Sequence, residues 1–302
     1  MANSDGSIRS ILYALIANFT ISIAKGIAAF ITNSGAMFAE AIHSLADCTN
    51  QVLLLFGIKR AKRPPSDKYP LGYGKEIYFW SFIVAILLFS VGGMFSLYEG
   101  IHKLQQPEAL NKPYIAVGVL VFAIVAEGLS LLGCIKEINK VRGDQNLWRW
   151  FRTSRQSALL VIFGEDLAAC LGLILACFAV IASWVTGNPI YDAMGTVAIG
   201  VLLIGVAILI GREVKDLLVG QGVENRLKLE MQNHLLSQPG VEEIFNLVTL
   251  QLGDDVMVAV KARITPGNDT NEFVALINAA EAEFRKTYPQ VMWLFFEPDV
   301  HD

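Results

Sequence analysis

The stretch AMFAEAIHSLADCTNQVLLL, residues 36–55, decides how the chain folds, because it is apolar enough to be buried yet carries three ionisable side chains. These are Glu40, His43 and Asp47. On an α-helix, residues three and four apart lie on one face, so all three side chains point the same way. An imidazole and a carboxylate with this spacing can both reach one divalent cation. The pattern therefore predicts half of a metal site, made by His43 and Asp47.

A second interpretation of this polar face is a hydrogen-bonded packing stripe on a buried helix. For a single His or Asp, that interpretation is as good as a functional one. Here three ionisable groups share the face, and each costs about 2.5 to 3.5 kcal/mol at the centre of a bilayer. Three such groups together favour a partner such as a cation, and hence a functional role.

The composition is typical of a membrane protein. Of the 302 residues, 54% are hydrophobic and 17% are charged, and the mean hydropathy is +0.47. These values are too apolar for a soluble domain, which predicts an integral protein of the lipid bilayer. The net charge of −4 gives no basic surface for nucleic acid. The sequence contains no Gly-rich phosphate loop, no HExxH motif and no nucleophile beside the candidate ligands, so an enzyme is not expected.

Six apolar segments are long enough to cross a hydrocarbon core of about 30 Å. The predicted spans are 8–31, 35–59, 76–103, 113–139, 154–183 and 190–211. The first is expected to be a spanning helix rather than a cleaved signal peptide. The connections 59–75 and 136–155 each carry six Lys or Arg residues, whereas those on the other side carry few or none. The positive-inside rule therefore predicts that these two connections and both termini are cytoplasmic.

The composition changes near residue 212 to that of a soluble domain, with charges interspersed among short apolar patches. We expect a transmembrane domain over 1–211 and a cytoplasmic α+β domain over 212–302. Helical and alternating patterns predict the order αββαβ. The predicted elements are helix 223–238, strands 241–252 and 256–264, helix 270–287 and strand 290–297.

The other half of the metal site is sought among acids in the remaining spans. The fifth contains FGEDLAAC, which places Glu165 and Asp166 side by side in an apolar helix. Adjacent helical residues point about 100° apart, so one of the two faces the second helix while the other faces a neighbour. We favour Asp166 as the ligand, with Glu165 as the next candidate.

Further acids within spans have other interpretations. Glu127 lies inside the fourth span and is either a proton carrier or a structural partner of a polar group on another helix. Glu40 shares the face of the second helix, and together with Glu127 it is a candidate for a proton pathway. Glu99 and Asp192 fall near helix ends, where we expect solvated carboxylates.

Three motifs make the chain resemble the cation diffusion facilitator family over its whole length. They are HSLAD at 43–47, YPLGYGKEIYFW at 69–80, and the GxxxxDLLVGQ pattern at 211–221. The resemblance implies six spans, a metal site from the second and fifth helices, and a metallochaperone-like cytoplasmic domain. It also implies a homodimer that exchanges cytoplasmic Zn²⁺ or a related divalent cation for protons.

The sequence departs from the family pattern at several positions. The fifth helix of the family usually carries HxxxD, but Ile162 stands where the His would lie, which leaves Glu165 as the nearest substitute. An accessory site and a binuclear cytoplasmic site are not expected, although Glu297 and Asp299 remain near the end. The residues that replace the family's metal-binding histidines are Tyr69, Tyr73, Phe245, Lys261 and Phe296.

The function that the sequence favours is efflux of a divalent cation by alternating access, with protons as the counter-ion. The ligands are then His43, Asp47, Asp166 and Glu165, and binding of the metal competes with binding of protons. Zn²⁺ is expected from the resemblance, with Mn²⁺, Fe²⁺ and Co²⁺ as alternatives. The alternative function is a membrane-embedded divalent-metal sensor without transport. The expected location is a bacterial inner membrane.

Overall fold

The structure, a computed structural model, describes residues 18–267 and 269–301. In this part of the chain, five helical segments are long and apolar enough to cross a membrane, which confirms the prediction of a helical membrane protein. Before them lies α1 (Asn18–Thr32). The five are α2 (Gly35–Ala61), a segment over Glu76–Gln105, α5 (Pro113–Val141), α7 (Ser157–Thr186) and α8 (Ile190–Val219). The predicted first span, 8–31, lies partly outside the described residues, and its described part belongs to α1.

The segment over Glu76–Gln105 changes its helical geometry in the middle. It consists of α3 (Glu76–Leu87), a π-helical stretch (Leu88–Met94) and α4 (Phe95–Gln105). A π-helical turn inside an α-helix is rare and is frequently found at a functional site. The hydroxyl of Ser96 donates a hydrogen bond to the carbonyl of Gly92 at 2.6 Å, next to this widened stretch.

Small residues allow this segment to pack tightly against α8. A Cβ atom added at Gly200 would lie 2.6 Å from the backbone nitrogen of Leu97, and one added at Gly93 would lie 2.6 Å from Cγ1 of Ile204. Both distances are too short for any side chain. Close backbone contact through glycine is how helices associate in lipid, where no hydrophobic force drives them together.

The first turn of α2 is held by Asp192, which lies at the beginning of α8. One carboxylate oxygen accepts a hydrogen bond from the backbone N–H of Gly35 at 2.7 Å, and the other accepts from the hydroxyl of Ser34 at 2.5 Å. Asp192 is 2% exposed, so the expectation that it is solvated is wrong. Its carboxylate satisfies donors at the start of α2, where the helix dipole favours a negative charge.

The described residues form two compact units. The helical unit contains the residues up to Phe56, Trp80–Leu147 and Ala158–Val214. The sheet unit contains Gly57–Phe79, Trp148–Ser157 and the residues from Lys215 onward. The short helix α6 (Leu147–Thr153) belongs largely to this second unit.

The C-terminal elements of the sheet unit are a three-stranded sheet and two helices. In chain order they are α9 (Asn225–Leu236), β1 (Val241–Leu252), β2 (Asp255–Ile264), α10 (Thr270–Thr287) and β3 (Val291–Pro298). The central strand β2 pairs with β1 in antiparallel and with β3 in parallel orientation. Alternate residues of β2 are buried, as expected for a strand with one face on a core. Met231 of α9 and Phe284 of α10 complete that core and are fully buried.

Both basic connections contact the C-terminal part of the chain within the sheet unit. The ammonium of Lys75 donates a hydrogen bond to the carbonyl of Leu218 at 3.4 Å. Just beyond this connection, in the first turn of α3, the hydroxyl of Tyr78 accepts a hydrogen bond from the N–H of Gly253 at 2.9 Å. The guanidinium of Arg155 donates to the carbonyl of Gly222 at 2.7 Å. These bonds tie the ends of both connections to the last turn of α8 and to the residues that follow it.

Candidate metal site on the second helix

The polar face of α2 is a stripe of four side chains, Glu40, His43, Asp47 and Asn50, which we call the α2 stripe. Their spacing of three, four and three residues keeps them on one side of the helix. Glu40, His43 and Asn50 are fully buried, and the side chain of Asp47 is 14% exposed. The rest of the helix is rich in Ala and Leu, which favour helix formation. An apolar helix thus carries a continuous row of polar groups through the helical unit.

His43 and Asp47 form the pair that the sequence predicts. Nδ1 of His43 lies 3.6 Å from Oδ1 of Asp47, which is too long for a hydrogen bond. Both ring nitrogens of His43 and Oδ1 of Asp47 are buried, and none of the three has a hydrogen-bond partner among residues 18–267 and 269–301. Buried polar atoms are normally paired, so these atoms require a partner. They are chemically suited to a divalent cation, which binds imidazole nitrogen and carboxylate oxygen.

Asn50 extends the stripe and joins it to α7. Its amide nitrogen donates a hydrogen bond to Oε1 of Glu165 at 2.6 Å. Its amide oxygen is buried and finds no donor among the described residues. Sequence reasoning missed Asn50, although its position three residues after Asp47 continues the same face. The structure therefore adds a neutral oxygen to the candidate ligands.

The two acids of α7 face different helices. Glu165 is 5% exposed and contacts α2 through Asn50. Asp166 is partly buried and accepts a hydrogen bond from the hydroxyl of Ser130 on α5, at 3.2 Å. The contact with α2 is therefore made by Glu165, while Asp166 interacts with Asp47 electrostatically. The expectation that Asp166 rather than Glu165 is the ligand stays a prediction.

The predicted ligands are not gathered into a finished metal cluster. Over the described ranges, no group of three or more His, Cys, Asp or Glu side chains is close enough to hold an ion. The structure brings His43 to Asp47 and Glu165 to Asn50. A cation bound by both pairs would require α2 and α7 to rearrange their side chains.

Glu40 is paired with a lysine that sequence reasoning missed. The ammonium of Lys25, on α1, lies 3.5 Å from Oε2 of Glu40 and 2.6 Å from the hydroxyl of Ser44. The side chains of Lys25 and Glu40 are both fully buried. The visible signal was a single lysine within the apolar run ISIAKGIAAF, residues 21–30.

Glu127 lies in α5 and is 9% exposed. Its charge interacts with His43, Asp47 and Asp166. Glu127 is therefore near both halves of the candidate site, which suits a proton carrier as well as a structural acid. Both interpretations remain predictions.

Two glycines give the α2 stripe its space. A Cβ atom added at Gly172 of α7 would lie 2.5 Å from Oε1 of Glu40. One added at Gly92, in the π-helical stretch, would lie 3.8 Å from Nδ1 of His43. The backbones of α7 and of the π-helical stretch therefore line the stripe directly.

The acidic residue that follows the last strand of the C-terminal sheet is bound by protein groups. Asp299 accepts hydrogen bonds from the N–H of Val300 at 2.7 Å and from the ammonium of Lys261 at 3.1 Å. The backbone bond to Val300 and then the Lys261 ammonium hold the pKa of this carboxyl below its usual range. Nearby, the guanidinium of Arg263 lies over the ring of Phe245. These contacts involve Asp299, one of the two carboxylates, with Glu297, that remain of the family's cytoplasmic metal site in the sequence pattern.

Comparison with known sequences places these features among transport proteins. Residues 11–219 match the family described as the cation efflux transmembrane domain. The chain is 33% identical to the mitochondrial proton-coupled zinc antiporter SLC30A9 of Xenopus laevis over 224 residues, which are 74% of this chain and 40% of that protein. It is 28% identical to metal tolerance protein C4 of Arabidopsis thaliana over 257 residues, 83% of this chain and 55% of that protein.

A bacterial relative is matched over nearly its whole length. The chain is 25% identical to magnetosome protein MamB of Paramagnetospirillum magneticum over 292 residues, 95% of this chain and 92% of that protein. By contrast, the chain spans only about half the length of the frog and plant relatives.

Proposed function

Because the chain belongs to the cation diffusion facilitator family, we propose that it is a secondary transporter that exchanges a cytoplasmic divalent metal cation for protons. The family consists of transporters rather than enzymes. The observation that carries the proposal is the row of buried nitrogen and oxygen atoms on α2 that have no donor or acceptor among the described residues. Such atoms are costly in an apolar helix unless a ligand binds them.

The ligands we propose come from α2 and α7. His43 and Asp47 supply the first nitrogen and oxygen, and Asp166 supplies the second carboxylate. Glu165 completes the shell, in place of the histidine that Ile162 replaces in the family pattern. The hydrogen bond from Asn50 to Glu165 supports the involvement of α7, because it already holds a carboxylate against the stripe.

Proton coupling follows from competition for the same atoms. A metal ion binds neutral imidazole and ionised carboxylates, so His43, Asp47 and Asp166 release protons when they bind the cation. Protons that load these groups on the far side release the metal. Glu127 is our candidate for a proton carrier to the site, since its charge already interacts with Asp47 and Asp166.

Zn²⁺ is the proposed substrate, and Mn²⁺, Fe²⁺ and Co²⁺ are the alternatives. The name of the animal relative, a zinc antiporter, supports zinc. A ligand set with one imidazole and several carboxylates is harder than one with two imidazoles, and it discriminates less against Mn²⁺ and Fe²⁺. Selectivity is therefore expected to be moderate.

The proposed architecture is six spans over 1–211, with a metallochaperone-like αββαβ domain over 212–302 in the cytoplasm. The bonds of Lys75 and Arg155 to the C-terminal part support one common side for both basic connections and this domain. The excess of Lys and Arg in those connections supports the cytoplasmic side. We propose a homodimer paired through this domain, in a bacterial inner membrane.

Transport is tested with the purified full chain in sealed proteoliposomes that contain a zinc-sensitive dye. An imposed pH gradient should drive accumulation of Zn²⁺, and the flux should vanish when the gradient is collapsed with a protonophore. Asp47→Asn, which keeps the volume of the side chain and removes its charge, should abolish the flux. Thr49→Ala is the matched control, because the Thr49 hydroxyl is exposed and bonds the backbone of its own helix.

The same experiment separates transport from sensing. A sensor would bind Zn²⁺ at equilibrium without accumulating it in response to the gradient. That outcome would contradict the proposed function while leaving the metal site in place.

A further inference from the structure

The ion pair between α1 and α2 is a feature that the proposed transport cycle does not use. Lys25 contacts Glu40 at 3.5 Å and Ser44 at 2.6 Å, and all three residues are buried. Ser44 is adjacent to His43 in the chain, and Glu40 precedes His43 by one helical turn. A full positive charge therefore lies beside the proposed metal ligands.

Lys25 acts on Glu40 by taking up one oxygen of its carboxylate. The other oxygen, Oε1, is buried without a donor among the described residues, and it faces the backbone of Gly172 closely. Without Lys25, both oxygens would be free to bind a cation from the same face as His43. Removing one partner of a buried pair leaves an uncompensated charge, which is strongly destabilising. A bound metal cation would compensate the charge of Glu40.

The charge of Lys25 also extends beyond Glu40. It interacts with His43 and Asp47, so it opposes a divalent cation at those ligands. Glu40 interacts with His43 as well and has the opposite sign. The two charges of the pair therefore oppose each other at His43, and removing either one changes the potential there.

We propose that Lys25 is a positioning residue that sets metal specificity by withholding Glu40 from the transported cation. This inference rests on the proposed function of the same site. With Glu40 withheld, the imidazole of His43 keeps a large share of the ligand set, which favours Zn²⁺. With Glu40 released, the site gains an oxygen ligand and a negative charge, which favours Mn²⁺.

The proposal is tested by titrating the purified full chain with Zn²⁺ and with Mn²⁺ in a calorimeter. Lys25→Met should tighten Mn²⁺ binding by about tenfold or more and lower the preference for Zn²⁺, since it adds one net negative charge near the site. Glu40→Gln should weaken binding of both ions by about tenfold, since it leaves the lysine charge uncompensated. The double variant Lys25→Met/Glu40→Gln should return the Zn²⁺ to Mn²⁺ ratio to its wild-type value.

A pair that only holds α1 to α2 predicts a different result. Both single variants would then weaken binding in the same direction, and the double variant would not restore the ratio; either finding overturns the proposal. If Lys25→Met does not fold, the ratio of Zn²⁺ to Mn²⁺ affinity in the double variant, which buries neither charge, still decides. Lys103→Met is the matched control, because the Lys103 ammonium donates to the backbone oxygen of Asn33 instead of a carboxylate.

Failure of this inference differs from failure of the proposed function. If the wild-type chain transports Zn²⁺ but Lys25→Met and Glu40→Gln do not change metal binding in opposite directions, only the role of Lys25 is overturned. A wild-type chain that binds the ions without transport overturns the proposed function, and the titrations still test Lys25. A wild-type chain that binds neither ion overturns both.

Discussion

Replacing Asn50 with alanine should weaken metal binding through Glu165. The amide of Asn50 donates a hydrogen bond of 2.6 Å to a carboxylate that is 5% exposed. A hydrogen bond to a charged group contributes about 1.5 to 3 kcal/mol, and about 1.4 kcal/mol corresponds to a factor of ten in affinity. If this bond holds Glu165 in place for the cation, Asn50→Ala should raise the Kd for Zn²⁺ by about 10- to 150-fold.

The assay is calorimetric titration of the purified full chain with Zn²⁺, combined with a thermal unfolding measurement. Asn50→Asp provides a second test, because it keeps an oxygen at this position but replaces the donor with a second carboxylate facing Glu165. It should lower the melting temperature of the metal-free chain, since like charges at this distance repel, and added Zn²⁺ should restore much of the loss because the cation neutralises both carboxylates. Thr49→Ala, on the exposed side of the same helix, should change neither quantity by more than the experimental error.

The result that would refute this reasoning is a lower melting temperature with an unchanged Kd in Asn50→Ala. The bond from Asn50 to Glu165 would then hold α2 against α7 without contributing to the metal site. A double-mutant cycle with Glu165→Gln measures the coupling directly. Independent effects of the two substitutions on Kd would lead to the same conclusion.

Three further predictions concern other parts of the chain. Gly172→Ala should lower stability by about 1 to 3 kcal/mol and reduce Zn²⁺ flux, because the new methyl group would lie 2.5 Å from Oε1 of Glu40, whereas Gly118→Ala meets open space and should be neutral in the same assays. Ile162→His adds an imidazole one turn before the predicted ligand of α7 and should raise the ratio of Zn²⁺ to Mn²⁺ affinity; an unchanged ratio would contradict the predicted ligand geometry. The fragment 212–302 should sediment as a dimer in EDTA, and a monomer that pairs only with added Zn²⁺ would reveal a metal site there.

The parts of the fold that the sequence predicts are those set by local periodicity. Glu40, His43 and Asp47 recur at helical spacing in an apolar run, so the helix and its polar face follow from the pattern alone. The alternation over 241–252 likewise predicts a strand with the bounds that β1 has. In both cases the information lies within one element, where residue spacing determines which side chains share a face.

The parts that the sequence does not predict depend on contacts between elements. The partner of Lys25 lies 15 residues away on another helix, and that of Asn50 lies 115 residues away. Asp192 lies near a helix end, which suggests solvation, but its neighbour is the first turn of α2 rather than water. No periodicity within α1, α2 or α8 contains this information, because it arises only when the helices pack.

Glu40, at one end of the α2 stripe, and Glu165, which contacts Asn50 at the other end, have different partners, and we expect this difference to affect where a cation binds. Glu40 is opposed by the ammonium of Lys25, which cancels its charge. Glu165 accepts its hydrogen bond from the amide of Asn50, which carries no charge. When a cation displaces protons from Asp47 and Glu165, the cation itself is the counter-charge of Glu165, whereas Glu40 already has the ammonium of Lys25. We therefore expect a divalent cation to bind at the end of the stripe that contacts α7. The amide oxygen of Asn50, which has no donor among the described residues, lies at this end.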